Sequence, residues 1–292
     1  MWICGRKIDE NTAKKLEKEL LATYEDFNKL GIVDQIDYTK FYMYSIITHS
    51  TAIEGSTITE IENFRLFEEG TVESGHNINE YFMNLDLKKA YEKCYDLAKT
   101  RPAITETLLK ELSAIVMKNT GVEYFTPVGN FSSADGGYRK LNVRAGICGP
   151  SYMSYAKIPA KMKEFCAWIN SSRELLASGD IAKIYELSID AHFNLVTIHP
   201  WADGNGRMSR LLMNYIQIEN NVLPIKISKE QKSQYIQALK ETRETEDLDI
   251  FRNAMISMHI KNMKDEISEF QNDSGILREP KLFFEEYKKN RV

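Results

Sequence analysis

The stretch "HPWADGNGRMSR", residues 199 to 210, gathers one imidazole, one carboxylate, two guanidiniums and two glycines within one short segment. Each group suits handling of a phosphate. A histidine titrates near neutral pH and serves as a general base. Asp203 offers hard carboxylate oxygens of the kind that hold Mg2+ beside bound phosphates. Gly204 and Gly206, at the start of a helix, let backbone N–H groups converge on an anion, and the helix dipole adds to the attraction. Arg207 and Arg210 are three residues apart on one helical turn and can clamp phosphate oxygens. The expectation is an anion-plus-metal site facing a base. A second segment, "SIITHSTAIEGST" (45 to 57), carries a lone acid, Glu54, among small and apolar neighbours.

Other chemistries fail on spacing. Gly-x-x-x-x-Gly-Lys-Ser/Thr is absent, which excludes a P-loop. His192 and His199 are seven residues apart, roughly 10 Å along a helix, too far for a metal-chelating pair. His192 therefore reads as a buried structural histidine.

The elements that position these groups are mostly helical. In residues 180 to 200, Ile181, Ile184, Leu187, Ala191, Leu195 and Ile198 recur at steps of three or four, a stripe that marks a buried central helix. Pro200 disfavours helical geometry at His199, so the helix ends there and presents the imidazole at the mouth of a loop. A second helix begins near Asn205 or Gly206. Upstream, helices are expected over about 9–30, stopping at Gly31, over 38–52, after Thr57 with Glu60 completing a capping box, over 78–99 and over 103–119. Residues 136 to 149, "GGYRKLNVRAGICG", read as a short hairpin. Helical periodicity then runs from 157 almost to 271, and the tail after Gly275 stands apart.

Composition bounds the rest. The 292 residues are 43% hydrophobic and 27% charged, ordinary globular usage. With 38 basic against 42 acidic residues the net charge is -4, which gives no general footprint for nucleic acid. Cys4, Cys94, Cys148 and Cys166 form no CxxC pair and read as free thiols in a reducing cytosol. No apolar run has signal-peptide or membrane-spanning length, so a cytoplasmic protein without membrane association is expected.

The segment "IHPWADGNGRMSR" resembles the signature of the Fic family of nucleotidyltransferases, His-Pro-Phe-x-Asp/Glu-Gly-Asn-Gly-Arg-x-x-Arg, with Trp201 in place of Phe. The likeness extends over "AHFNLVTIHP", "GYRKLNVRAGI" and "SQYIQALKE", roughly residues 100 to 250. It implies an all-α Fic fold of about eight helices with a β-hairpin flap over the active site. It further implies three regions: an N-terminal helical region to residue 100 holding an inhibitory helix, a catalytic core over 101–272, and a tail over 273–292.

By the same resemblance His199 is the base that activates a Tyr, Thr or Ser hydroxyl of a target protein or of the chain itself. That oxygen attacks the α-phosphate of ATP and leaves AMP on the protein. Asp203 would hold Mg2+ or Mn2+, Gly204, Asn205 and Gly206 would form the anion hole, Arg207 would grip the β-phosphate and Arg210 the γ-phosphate. Tyr235 matches a position near the adenine, and Arg243 falls where some relatives carry an amide. The flap at Val143, Arg144, Ala145 and Gly146 would pair with the target's backbone. "STAIEG" (50 to 55) resembles the inhibitory motif Ser/Thr-x-x-x-Glu-Gly/Asn, with Ser50, Glu54 and Gly55 in place; Glu54 would pair with Arg210 and take the space of the γ-phosphate. A homodimer is expected from family precedent. Hydrolytic removal of AMP with Glu54 orienting water, transfer of UMP, GMP or phosphocholine, and an ATP-binding regulatory module remain alternatives.

Overall fold

The central helix is the element around which the chain is arranged. The computed structural model describes residues 10–35, 37–145, 149–177 and 179–273. Among them are ten α-helices: α1 (Glu10–Lys29), α2 (Tyr38–Ile53), α3 (Glu60–Glu69), α4 (Ile78–Thr100), α5 (Glu106–Val116), α6 (Ile158–Glu174), α7 (Ile181–Ile198), α8 (Asn205–Glu219), α9 (Lys232–Thr245) and α10 (Leu248–Asp273). The N-terminal helices take the total past the eight expected. One small antiparallel pair, β1 (Glu123–Tyr124) with β2 (Phe131–Ser132), accompanies them. The fold is the expected all-α bundle. No helix among the described residues is long and apolar enough to cross a membrane.

In α7 the predicted stripe is buried at Ile184, Leu187, Ala191, Leu195 and Ile198, but so are Tyr185, Ile189, His192, Phe193 and Val196 on the remaining sides. A helix apolar all round is a core helix. α7 packs against α8, α6, α10 and α1, while α8 lies on α4 and α5, so the two helices flanking the signature are held on every side. α2 reaches the same centre from the N-terminal side, packing on α4, α3 and α8.

Two local expectations are corrected. Overlapping Thr-x-x-Glu frames compete at the start of α3, and the capping box forms at Thr59 and Glu62, not at Thr57 and Glu60. Glu60 is drawn away by His49 at 3.2 Å and by the Ser45 hydroxyl, while Thr57 donates its hydroxyl to Glu80 at 2.8 Å. The hairpin is also displaced. Residues 136–142 cannot ladder because Arg139 donates its backbone N–H to Pro200 O at 2.9 Å and buries its guanidinium. The pairing lies instead between residues 143–145 and 150–152 (the 143–152 ladder), with Tyr152 N donating to Val143 O and Ala145 N to Pro150 O, both at 3.0 Å, around a bridge between Arg144 and Ser151. Gly146 of the expected flap lies outside the described residues, as do Cys4, Cys148 and the tail from residue 274. Cys94 and Cys166 are free and buried.

A polar knot ties α2 to its neighbours. Asn84 on α4 accepts from Thr51 of α2 and Asn63 of α3, each at 2.8 Å, and its amide nitrogen donates to Glu80 O at 2.8 Å. All three side chains are fully buried. Asn84→Ala strands an amide N–H of Asn63 in a dry site, while Thr51 can turn to Ile47 O or Thr48 O, and is expected to cost about 2 kcal/mol, measured by urea denaturation.

Burial also fixes a charge state. His259 on α10 is fully buried, its Nε2 bonds the Tyr185 hydroxyl at 2.8 Å, its Nδ1 has no partner among the described residues, and burial pushes its pKa down to about 3. Below the ordinary value of 6.5 the unfolded chain binds a proton that the fold refuses. Stability contributed by the neutral ring is therefore present above pH 6.5 and lost as pH falls towards 3, by up to about 1.4 kcal/mol per pH unit. In His259→Phe the fall in stability between pH 6.5 and 4.5, followed by denaturant titration, is expected to be shallower.

Candidate active site

The αL turn that ends α7 places the imidazole. His199 takes φ 53°, ψ 60°, its N–H closing the helix on Leu195 O at 3.0 Å. Pro200 rules out another helical turn, and histidine is among the few non-glycine residues that adopt this region readily. Its Nδ1 lies 3.2 Å from Val196 O. A carbonyl only accepts, so Nδ1 carries the hydrogen and Nε2 keeps its lone pair. Burial lowers the His199 pKa to about 4, well under the near-neutral value expected, which leaves the imidazole neutral at physiological pH.

The loop from 200 to 204 is pinned from within. Trp201 is buried and donates its indole N–H to Gly136 O at 2.8 Å. Asn205 folds back on the same residue, accepting from Trp201 N at 3.0 Å and donating to Trp201 O at 2.9 Å. Its side chain is thus spent on loop geometry, and its contribution to an anion hole rests with its backbone. Gly204 caps α8 at φ 78°, and a Cβ there would meet the Met117 sulfur. A Cβ on Gly206 would collide with the Glu54 carboxylate. Glycine at both positions keeps the first-turn N–H groups of α8 open to a ligand.

The two arginines differ in how they are neutralised. Arg207 is buried, donates to Val116 O at 3.4 Å and the Met117 sulfur at 3.1 Å, stands 3.9 Å from Asp203, and leaves its Nε unpartnered. Burial, only partly offset by Asp203 and Glu54, lowers its pKa. Such a cation is short of anionic partners. Arg210, equally buried, is fully engaged: Nε donates to Ser50 Oγ at 2.8 Å, and one terminal nitrogen to Ser50 O at 3.0 Å and Glu54 Oε1 at 2.6 Å. The other faces the Tyr235 hydroxyl at 3.5 Å. Burial works against charge on both partners, but their mutual attraction prevails: the Glu54 carboxyl is held below its usual range and Arg210 is raised. Glu54 caps α2, and Gly55, at φ 108°, turns the chain away behind it.

Asp203 is 61% exposed, with Oδ1 accepting from Gly204 N at 2.6 Å. No group of three His, Cys, Asp or Glu side chains suited to a metal exists among the described residues. One exposed carboxylate beside an anion cradle fits a cation shared with phosphate oxygens, the manner in which Mg2+ is usually held.

Tyr235 is buried, its hydroxyl 2.9 Å from His192 Nε2, so it supports Arg210 from the core side. His192 is the structural histidine expected, driven neutral by burial. Val143, Arg144 and Ala145 lie in the 143–152 ladder. Two residues escaped notice. Arg139 donates Nε to His199 O at 2.8 Å and a terminal nitrogen to Leu141 O at 2.6 Å, joining loop and ladder. Tyr152 stacks on His199, with centroids 3.8 Å apart and planes at 16°. Their only signal was a lone basic or aromatic residue in a loop-rich segment.

Residues 103–217 match the family model described as Fic/DOC family. That segment contains the whole signature and excludes Glu54. The chain is 30% identical over 245 residues to the protein adenylyltransferase Fic of Drosophila grimshawi, covering 81% of this chain and 47% of that protein. The Drosophila melanogaster protein of the same name is 26% identical over 238 residues, 80% of this chain and 44% of its own. The chain spans about half the length of the curated relatives it matches. A Fic domain containing signaling protein from Bacteroides thetaiotaomicron superposes with a TM-score of 0.70 at 21% identity, covering 87% of this chain and 98% of that one. Fic-1 from C. elegans gives 0.69 at 22% identity, covering 89% and 74%. These likenesses show a shared fold. Through its matched segment, its relatives and that fold, the chain belongs to the Fic/DOC family.

Proposed function

We propose that the protein is an adenylyltransferase that transfers AMP from ATP to a hydroxyl of a protein, and that Glu54 holds it inactive in cis. The activity is supported by the curated relatives, which are named protein adenylyltransferases. The inhibition rests on one observation: Glu54 Oε1 sits 2.6 Å from Arg210, over Gly206 at the start of α8. A carboxylate there occupies the place that the dipole and the arginine reserve for an anion.

The chemistry follows from the neutral imidazole. His199 Nε2 accepts the proton of the incoming hydroxyl as its oxygen bonds to the α-phosphorus. The bond from that phosphorus to the bridging oxygen breaks, and pyrophosphate leaves. The α8 amides and Arg207 stabilise the negative charge of the phosphates, which is where most of the rate originates in such transfers. Asp203 would hold Mg2+, which when bound neutralises phosphate charge. The ladder at 143–152 offers backbone groups to an extended segment of the target. Arg210 serves the terminal phosphate once Glu54 withdraws.

The reading is tested by intact-mass spectrometry after incubation with ATP, GTP, UTP or CTP and Mg2+. Glu54→Gly is expected to gain an AMP group from ATP at least about 10-fold faster than the wild type, the effect of removing a competing anion worth one or two kcal/mol. His199→Ala in that background is expected to lower transfer by about 10²- to 10⁴-fold. Equal labelling of wild type and Glu54→Gly would refute inhibition, and addition of a different group would refute the donor.

A further inference from the structure

Tyr152 lies outside the signature, yet it joins two parts of the site. Its ring covers one face of the His199 imidazole at 3.8 Å, and its backbone N–H closes the 143–152 ladder on Val143 O at 3.0 Å. Arg243 of α9 holds the ring in turn. The guanidinium carbon is 5.2 Å from the Tyr152 centroid, and one nitrogen reaches the phenol oxygen at 3.5 Å. Another nitrogen donates to Val196 O at 3.2 Å, the same carbonyl that takes the His199 Nδ1 hydrogen. Ladder, ring, base, carbonyl and arginine form one closed circuit.

Such a circuit constrains the base in two ways. The shared carbonyl selects the tautomer with Nε2 free, and the stacked ring prevents rotation and keeps water from one face. The groups facing His199 are Tyr152 from the ladder, Arg243 from α9, Arg139 from the preceding loop and Glu54 from α2. Burial dominates its pKa, both arginines add to the lowering, and Glu54 opposes them.

We propose that Tyr152, backed by Arg243, is a positioning residue that couples the 143–152 ladder to the base, so that a peptide strand added to the ladder acts on the imidazole through one rigid ring. The proposal rests on reading His199 as the general base and deepens it. It assigns the link between docking of a target and orientation of the group that deprotonates it.

The test reads the imidazole directly, without turnover. Histidine labelled with ¹⁵N is followed by NMR as a function of pH in the full chain, with His199 assigned by His199→Ala. Wild type and Tyr152→Phe are expected to show the Nδ1–H tautomer and a midpoint far below 6.5. Tyr152→Ala is expected to raise the midpoint by about one pH unit or more and to mix the tautomers. Tyr152→Leu, which loses the stacked ring but keeps bulk, carries the test if Tyr152→Ala does not fold; Arg243→Met is not a substitute, because loss of its charge raises the midpoint by itself. In the Glu54→Gly background, Tyr152→Ala is expected to lower kcat about 10-fold with KM for ATP unchanged, and Tyr152→Phe to restore it. If the NMR shifts appear but no variant transfers a nucleotide, the coupling stands and the transferase reading falls. If transfer proceeds while Tyr152→Ala matches the wild type in midpoint, tautomer and kcat, the coupling is overturned.

Discussion

A buried guanidinium needs an anion, and among the described residues Arg210 finds one in Glu54. Its side chain is 4% exposed, and the other buried acid of its helix, Glu219, is taken by Arg173. Left alone in such surroundings, a charge is costly; paired, it is tolerated. Tyr235 and Ser50 satisfy some of its hydrogen bonds, but among the described residues only Glu54 brings a counter-charge into contact. The carboxylate of α2 fills that position, and an anion delivered from outside would have to compete for it, which is the basis of the regulation proposed above.

The remaining architecture brings Glu54 and Arg210 together beside His199. α7 and α8 are buried on nearly all sides, which fixes His199 at the end of one and the first-turn amides at the start of the other. α2 arrives from far upstream in the chain and is tied by Asn84 and Asn63 to α4 and α3. Glu54 itself is the cap of that helix, 35% exposed, at the edge where buried packing gives way to solvent. In the proposed inhibition, release of Arg210 would require this helix end to move away from α8. Arg207, one turn earlier on α8, is less fully engaged: Asp203 stands 3.9 Å away and its Nε meets no hydrogen-bond partner among the described residues.

Much of this was legible before any coordinates. The stripe from Ile184 to Ile198, Pro200 after His199 and the glycines at 204 and 206 dictate helix, stop and helix by local rules, and those rules were obeyed. The pairing of Glu54 with Arg210, 156 residues apart, came only from resemblance, because no local pattern encodes a contact at that separation. Failures arose where a local rule had two solutions or where a tertiary partner intervened. Thr57 and Thr59 offered the same cap, and His49 decided between them by taking Glu60. Residues 136–142 looked like a strand until Arg139 turned inward to the His199 carbonyl. Asn205 has the composition of a phosphate ligand, yet its amide matches the Trp201 peptide so well that it closes on it. The low pKa of His199 was invisible for the same reason, since burial and the stacked Tyr152 are products of folding.

Competition between Glu54 and a terminal phosphate for Arg210 would show in calorimetric titration of the wild type and Glu54→Gly with ATP and with ADP. Competition predicts that the substitution tightens ATP and leaves ADP nearly unchanged, because only the longer nucleotide reaches the guanidinium. If both nucleotides tighten equally, or neither does, Glu54 and a terminal phosphate do not compete for Arg210.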